Sequence, residues 1–316
     1  MTKLGVAVIG AGQWGKNHVR VYSELPDAEL IAVCDKNKQT AKTIAKQYKI
    51  KAYTNTTQML KNKDIKAVNI CTWSTHLAKE AQKALNQEKH VLIEKPMATN
   101  PQQAQQIVQQ AQQNNLHLTV GFLMRFIPGL QHIHQTAQTN QNGQIVCATA
   151  KRVSQWPQRI GDVGVVKDTA IHDIDTMNYL FNQQPTTVYA KTGNLKNKKY
   201  EDYAHIMLTY KNGQTAFIET NWLTPYKTRT LTVTATQAIM KLDYITQEIT
   251  IEKQTETTKP RLPTQEPLKA ELQHFIECIT QHKKPQITGE DGVKALTVAT
   301  AALKSSAKNK AIKLET

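Results

Sequence analysis

Six residues near the start of the chain, Gly10-Ala11-Gly12-Gln13-Trp14-Gly15, constrain the fold more than any other segment. They follow the apolar run Leu4–Ile9 and open a helical pattern. In that setting G-x-G-x-x-G is a strand-to-helix turn built for close approach. The first glycine makes the turn, the second lets backbone N–H groups reach a pyrophosphate, and the third lets the helix pack on the strand. The positive end of the helix dipole then faces the phosphates. Asp35 closes the next apolar run about twenty residues on, where a carboxylate binds ribose hydroxyls and repels a 2′-phosphate. The expected cofactor is therefore NAD rather than NADP, a preference that the neighbouring Lys36 and Lys38 soften.

The same alternation fills the first third of the chain. Apolar runs at 6–9, 30–34, 67–71, 90–93 and 116–120 alternate with helical patterns. Leu77, Ala78, Ala81, Ala84 and Leu85 repeat at helical spacing, as do Ala104, Ile107, Val108 and Ala111 behind an Asn100 N-cap and Pro101. The glutamine-rich stretch 102–113 reads as the polar side of that second helix. Near-continuous apolar strands joined by helices predict a doubly wound parallel sheet over 1–122. From 202 onward the period switches to two. Ala204, Ile206, Leu208 and Tyr210 share one face, Lys211-Asn212-Gly213-Gln214 makes a hairpin turn, and Ala216, Ile218, Thr220 and Trp222 continue the face. Leu231, Val233, Ile239, Leu242, Ile245, Ile249 and Ile251 extend the pattern, and helical patterns return at 268–280 and 292–305. The prediction for 123–316 is an α+β domain on a large, mostly antiparallel sheet, with 255–267 as a proline-bearing loop.

Composition narrows the function class. The 316 residues carry a formal charge of +15. Lysines are scattered, with no recognition helix, zinc pattern or basic-aromatic run, so the charge favours a small anionic ligand over nucleic acid. No run reaches the ~18 apolar residues of a membrane span. Cys34, Cys71, Cys147 and Cys278 lie far apart, and the N-terminus lacks a signal-peptide pattern. A cytoplasmic protein with reduced cysteines is expected.

Two groups carry the chemistry. Lys95, before Pro96, sits at the end of the apolar run 90–93, at the carboxyl edge where doubly wound sheets bind ligands. The second is Asp168 with His172 on a predicted helix, four residues apart, with Asp175 and Tyr179 on the same face. Ala170, Ile171, Ile174, Met177 and Phe181 lie opposite. A histidine oriented by a carboxylate can take a hydroxyl proton while the alcohol carbon gives hydride to NAD. The alternative for the lysine is an ordinary surface residue, and for the helix a solvated polar face. No third His or Cys sits at metal-ligand spacing, so no metal is expected.

Taken together, the glycine turn, Asp35, Thr72 to His76, Glu94-Lys95-Pro96, Gly121 with Arg125-Phe126, and Asp168 with His172 resemble the Gfo/Idh/MocA oxidoreductases along essentially the whole chain. The resemblance implies that Lys95, Asp168 and His172 are catalytic, with His172 as base. It places the cofactor on Gly10, Gly12, Gln13, Trp14, Gly15, Asp35, Thr72, Trp73, His76, Glu94 and Lys95. Trp73-Ser74 departs from the Pro-Asn usual in the family. Segments 15–22, 159–166 and 221–227 are similar to UDP-N-acetylglucosamine 3-dehydrogenases within the family. That similarity implies oxidation of a nucleotide-sugar hydroxyl, with Lys95, Arg125, Arg159, Asp168 and His172 as substrate contacts and the two arginines on the diphosphate. Another UDP-sugar, a free polyol such as an inositol, or a catalytically inactive cofactor-sensing regulator are the alternatives. A homodimer or homotetramer joined through the sheet face is expected.

Overall fold

The computed structural model describes residues 3–157 and 161–314. The chain divides into two compact units, Met1–Phe122 with Glu266–Val293, and Leu123–Gln265 with Lys294–Thr316. In the first unit β1 (Leu4–Ile9) leads to α1 (Gln13–Glu24), β2 (Ala28–Cys34), α2 (Lys38–Tyr48), β3 (Lys51–Tyr53) and α3 (Thr56–Leu60). Then come β4 (Ala67–Ile70), α4 (Ser74–Asn86), β5 (His90–Ile93), α5 (Pro101–Gln113) and β6 (Leu118–Val120). The six strands are parallel in the order β3-β2-β1-β4-β5-β6. The order reverses between β1 and β4, the switch point where such sheets leave a crevice beyond their carboxyl ends.

Local sequence explains most of these elements. Asn37 caps α2 by accepting from the Gln39 and Thr40 amides, and Asn55 caps α3 through Gln58 N–H. Asn100 caps α5 through Gln103 N–H with Pro101 at the first helical position, as predicted. Ala104, Ile107, Val108 and Ala111 form its buried face. The strand that the apolar pattern does not announce is β3: Lys51 and Ala52 are exposed, because it is an edge strand with little surface to bury.

The second unit begins with a single 3₁₀ turn at Leu123–Phe126 and α6 (Pro128–Gln138). There follow β7 (Ile145–Val153), α7 (Ile171–Phe181), β8 (Thr187–Gly193), β9 (Tyr203–Thr209), β10 (Thr215–Asn221) and β11 (Thr228–Ala235). The sheet is completed by β12 (Ile239–Asp243), β13 (Ile249–Glu252), β14 (Thr257–Thr258) and β15 (Ile312–Lys313). Nine strands run β14-β13-β12-β11-β7-β10-β9-β8-β15, and only the β7–β10 neighbours are parallel. Gly213 holds the β9–β10 turn at φ +79°, with Tyr210 N–H bonded to the Gln214 carbonyl. The predicted inward residues from Ala204 to Trp222 are all buried. Ile239 and Ile245 are not: both are exposed, one on the outer face and one in the turn after β12.

Two helices follow, α8 (Pro267–Thr280) and α9 (Gly289–Lys308). Glu266–Val293 packs with the first unit although it follows the nine-stranded sheet in the chain. Leu268, Leu272, Phe275 and Ile276 pack with Val19 and Tyr22 of α1 and with Leu25 just after it in one apolar cluster. The helical period at 268–280 exposes an apolar stripe but carries no record of which sheet it covers.

At the start of β5, His90 Nδ1 accepts the His117 N–H at 3.0 Å, and the two rings lie 5.2 Å apart. Burial, with the charges of His117 and His282, pushes the His90 imidazole down from 6.5 to about 4. The folded chain keeps His90 neutral, while the unfolded chain protonates it at its ordinary value. Stability is thus full above 6.5 and is lost as pH falls toward about 4. Allowing for partial exposure, the loss is on the order of 2 kcal/mol. Denaturant unfolding of wild type and His90→Asn at neutral and mildly acidic pH should show the smaller acid loss in the variant; equal losses would remove His90 as the cause.

Candidate active site

The glycine turn is held by contact at two of its three glycines. Gly10 has φ +91°, and a Cβ there would lie 2.7 Å from the Cys71 carbonyl at the end of β4. A Cβ on Gly15 would lie 1.9 Å from the Gly10 carbonyl oxygen, so only glycine lets α1 close on β1. Gly12 differs: a Cβ there meets nothing within 4 Å. Gly12 is also the α1 N-cap, so no side chain caps the opening amides of α1. A cradle that a side chain would fill, at an uncapped helix N-terminus, fits a pyrophosphate. Asp35 is fixed beside it, one oxygen accepting Ala11 N–H at 2.7 Å and the other Asn37 N–H at 2.8 Å. Each carboxylate oxygen keeps a second lone pair for ribose hydroxyls.

Beneath the turn lies a buried polar chain that the sequence reading missed. Trp14 Nε1 donates to Glu94 Oε1 at 2.6 Å, and His18 Nε2 lies 3.1 Å from the same oxygen. Asn69 donates to His18 Nδ1 at 2.8 Å, and Tyr22 donates to Asn69 Oδ1 at 2.7 Å. With the Asn69 amide donating to Nδ1, the Nε2 proton is aimed at Glu94. Burial alone pushes the Glu94 carboxyl up, yet His18, the Lys95 ammonium and Trp14 together hold it below its usual value. A Cβ on Gly121 would lie 2.9 Å from Glu94 Oε1, so Gly121 makes room for this carboxylate. Trp14 and Glu94, expected on the cofactor, thus use these polar atoms on each other. The available signals were a histidine on the inward face of α1 and an asparagine inside an apolar strand.

Lys95 follows β5, half-buried, with a cis bond to Pro96. Thr72 and Trp73 lead into α4, where Trp73 is 58% exposed. His76 bonds back to this turn, its amide donating to the Trp73 carbonyl at 2.8 Å. Gly10, Asp35, Thr72 and Lys95 thus all follow carboxyl ends of the parallel sheet.

In the second unit, Asp168 lies on a π-helical turn, Val166–Ala170, that runs into α7 with His172 in its first turn. Single π turns of this kind concentrate at functional sites. Trp222 Nε1 donates to Thr169 Oγ1 at 3.0 Å, and Thr169 donates to Asp168 Oδ2 at 3.2 Å. Asp168 is buried and His172 half-buried. The helix does not present the solvated polar face that its acids suggest. Asp173 and Asp175 are each 1% exposed and each takes a two-pronged arginine. Arg152 of β7 bonds Asp173 at 2.8 and 2.8 Å, and Arg125 bonds Asp175 at 2.8 and 2.5 Å. Arg125 also lies over the Tyr179 ring, 4.9 Å from its centre, and that ring stacks on His134 at 3.8 Å. Arg125, expected on the diphosphate, is buried and uses its guanidinium on Asp175. Arg159 falls outside the described residues. Arg152 and Asp173 went unnoticed in sequence, although Arg152 shares the inward phase of Ala148 and Ala150, where a charge needs a partner. Among the described residues no group of three or more His, Cys, Asp or Glu is placed to hold a metal ion.

Residues 4–122 match the model of the Gfo/Idh/MocA oxidoreductase family, NAD-binding Rossmann fold, and residues 132–314 match the family's C-terminal alpha/beta domain. The chain is a Gfo/Idh/MocA oxidoreductase. It is similar to the UDP-N-acetylglucosamine 3-dehydrogenase of Acidithiobacillus ferrooxidans, 26% identical over 95% of this chain and 96% of that protein. It is also similar to an inositol 2-dehydrogenase of Rhizobium meliloti, 26% identical over 97% of this chain and 98% of the relative. The crystal structure of the Acidithiobacillus enzyme superposes with a TM-score of 0.90, covering 97% of this chain and 99% of that one at 24% identity, a likeness of fold. As a Gfo/Idh/MocA oxidoreductase the chain binds NAD through its Rossmann unit.

The glycine geometry separates binding from folding. Gly12→Ala should fold with a wild-type Tm but bind NAD at least about tenfold more weakly, a loss near 1.4 kcal/mol. Gly15→Ala should lower Tm, because its Cβ meets a backbone oxygen. Thermal melts and NAD titration distinguish the two; a Gly12→Ala protein with unchanged affinity would place the pyrophosphate elsewhere.

Proposed function

We propose that this oxidoreductase removes hydride from a secondary hydroxyl carbon of a sugar or polyol, and that its substrate is UDP-N-acetylglucosamine, oxidised at position 3 to the ketone. The carrying observation is that the chain holds an NAD-binding glycine turn, a lysine after β5, and an acid and a histidine at the opening of α7. The similarity over nearly the full length to a UDP-N-acetylglucosamine 3-dehydrogenase supports the substrate, and the +15 charge suits an anionic one. The similarity to inositol dehydrogenases makes free inositols the comparison substrate.

When bound, NAD supplies the hydride acceptor. His172 removes the hydroxyl proton as the C–H bond gives up its hydride, leaving a carbonyl, NADH and one proton. Asp168 orients the imidazole. Lys95 donates a charged hydrogen bond to the reacting oxygen.

The same reading includes a homo-oligomer. The outer face of the nine-stranded sheet carries a cross-strand row, Tyr189 against Met207 against Phe217, each at least 37% exposed. Ile239 is exposed on that face as well, and exposed apolar rows of this kind mark a protein interface. A second copy of the chain covers it.

Lys95→Ala and His172→Ala should each lose kcat by roughly 10²–10⁴-fold while still binding NAD. NADH formation with UDP-N-acetylglucosamine, other UDP-sugars and myo-inositol measures this directly. Turnover of myo-inositol alone would overturn the nucleotide-sugar substrate, and NAD binding without turnover of any sugar would favour a cofactor sensor. Near-wild-type kcat in both variants would overturn the assigned roles.

A further inference from the structure

The Arg152–Asp173 pair is placed where a stability role alone explains it poorly. Both groups are buried, Arg152 at 3% and Asp173 at 1% exposure. Apolar residues neighbour both along their elements: Ala148 and Ala150 share the inward phase of β7, while Ile171 and Ile174 flank Asp173 on α7. Taking two charges out of water there costs several kcal/mol per ion, and apolar side chains of similar volume usually stabilise as well or better. What the pair supplies and apolar packing does not is direction. A guanidinium fork on a carboxylate, Nε to Oδ2 and Nη2 to Oδ1 at 2.8 Å each, fixes both the distance and the rotation of the helix turn that bears it.

That turn is the one carrying His172. Asp173 is the next residue, and the π turn with Asp168 comes directly before. The fork is itself held. The Tyr244 ring lies 5.2 Å from the Arg152 guanidinium carbon, and Tyr244 N–H bonds the Arg229 carbonyl at 2.9 Å. Arg229 on β11 stands directly across from Arg152 on β7. Asp168 also acts electrostatically on Arg152, so the buried cation lies within the field of the acid that serves His172.

We infer that the Arg152–Asp173 ion pair is a positioning device for the reaction, locking the first turn of α7 to the central sheet strand so that Asp168 and His172 keep their working geometry. The inference rests on the reading of His172 as the base. Arg125 on Asp175 holds the same helix two residues further on.

The test replaces the pair with apolar groups of similar size, Arg152→Met with Asp173→Leu. With UDP-N-acetylglucosamine deuterated at C3, or myo-inositol deuterated at C2 if that is the sugar turned over, the double variant should keep its Tm, its NAD affinity and its KM. Its kcat should fall at least about tenfold, and the deuterium isotope effect on kcat should rise as the chemical step becomes limiting. Arg152→Lys, which keeps charge but not the fork, should not restore kcat. A folded double variant with wild-type kcat and isotope effect would overturn the inference while leaving an inactive His172→Ala, and so the base assignment, intact. If the double variant does not fold, Asp173→Asn keeps the shape and one acceptor; a soluble Asp173→Asn with wild-type kcat overturns it equally.

Discussion

Close approach of α1 to the carboxyl ends of β1 and β4 is the constraint on which the rest of the structure rests. Gly15 touches the Gly10 carbonyl and Gly10 touches the Cys71 carbonyl, distances that no larger residue permits. With the backbones this near, Trp14 and His18 on α1 reach Glu94 at the end of β5, and Tyr22 reaches Asn69 inside β4. A polar chain therefore replaces apolar packing under the turn. Its hydrogen bonds tie two strands and a helix into one arrangement, and a chain of that kind is stable only when every member is satisfied. The uncapped amides above Gly12 and the lysine after Glu94 inherit their positions from it.

The second unit solves a similar problem with charge. A helix that opens in a π turn and carries His172 in its first turn needs orientation as well as burial. Two neighbouring aspartates accept two arginines, from β7 and from the 3₁₀ turn at Leu123–Phe126. Apolar residues on α7 supply the burial, and the ion pairs supply the direction. In both units, groups that hydropathy reads as solvent-facing or ligand-facing are interior struts.

Much was legible before any coordinates because the signals were local. The glycine spacing, the Asn100 cap, the period-two faces of β9 and β10 and the Gly213 turn depend on neighbours within a few residues, and each appears as read. The rest was nonlocal. β3 is too exposed to carry an apolar run, and α8 packs on the Rossmann unit although it follows the nine-stranded sheet in the chain. Arg125 was read by its chemistry as a diphosphate ligand, and its guanidinium is engaged by Asp175.

By itself, then, the amino-acid sequence determined the dinucleotide-binding turn, the two periodicities and the identities of Lys95, Asp168 and His172. Those depend on backbone permission and residue chemistry, which are written in order along the chain. Only the tertiary structure decided which polar side chains meet one another. Glu94 finds Trp14 and His18 from 80 and 76 residues away, and Arg152 finds Asp173 across 21. A buried charge or amide must satisfy itself with whatever the fold brings within 3 Å, and that partner is set by packing, not by spacing.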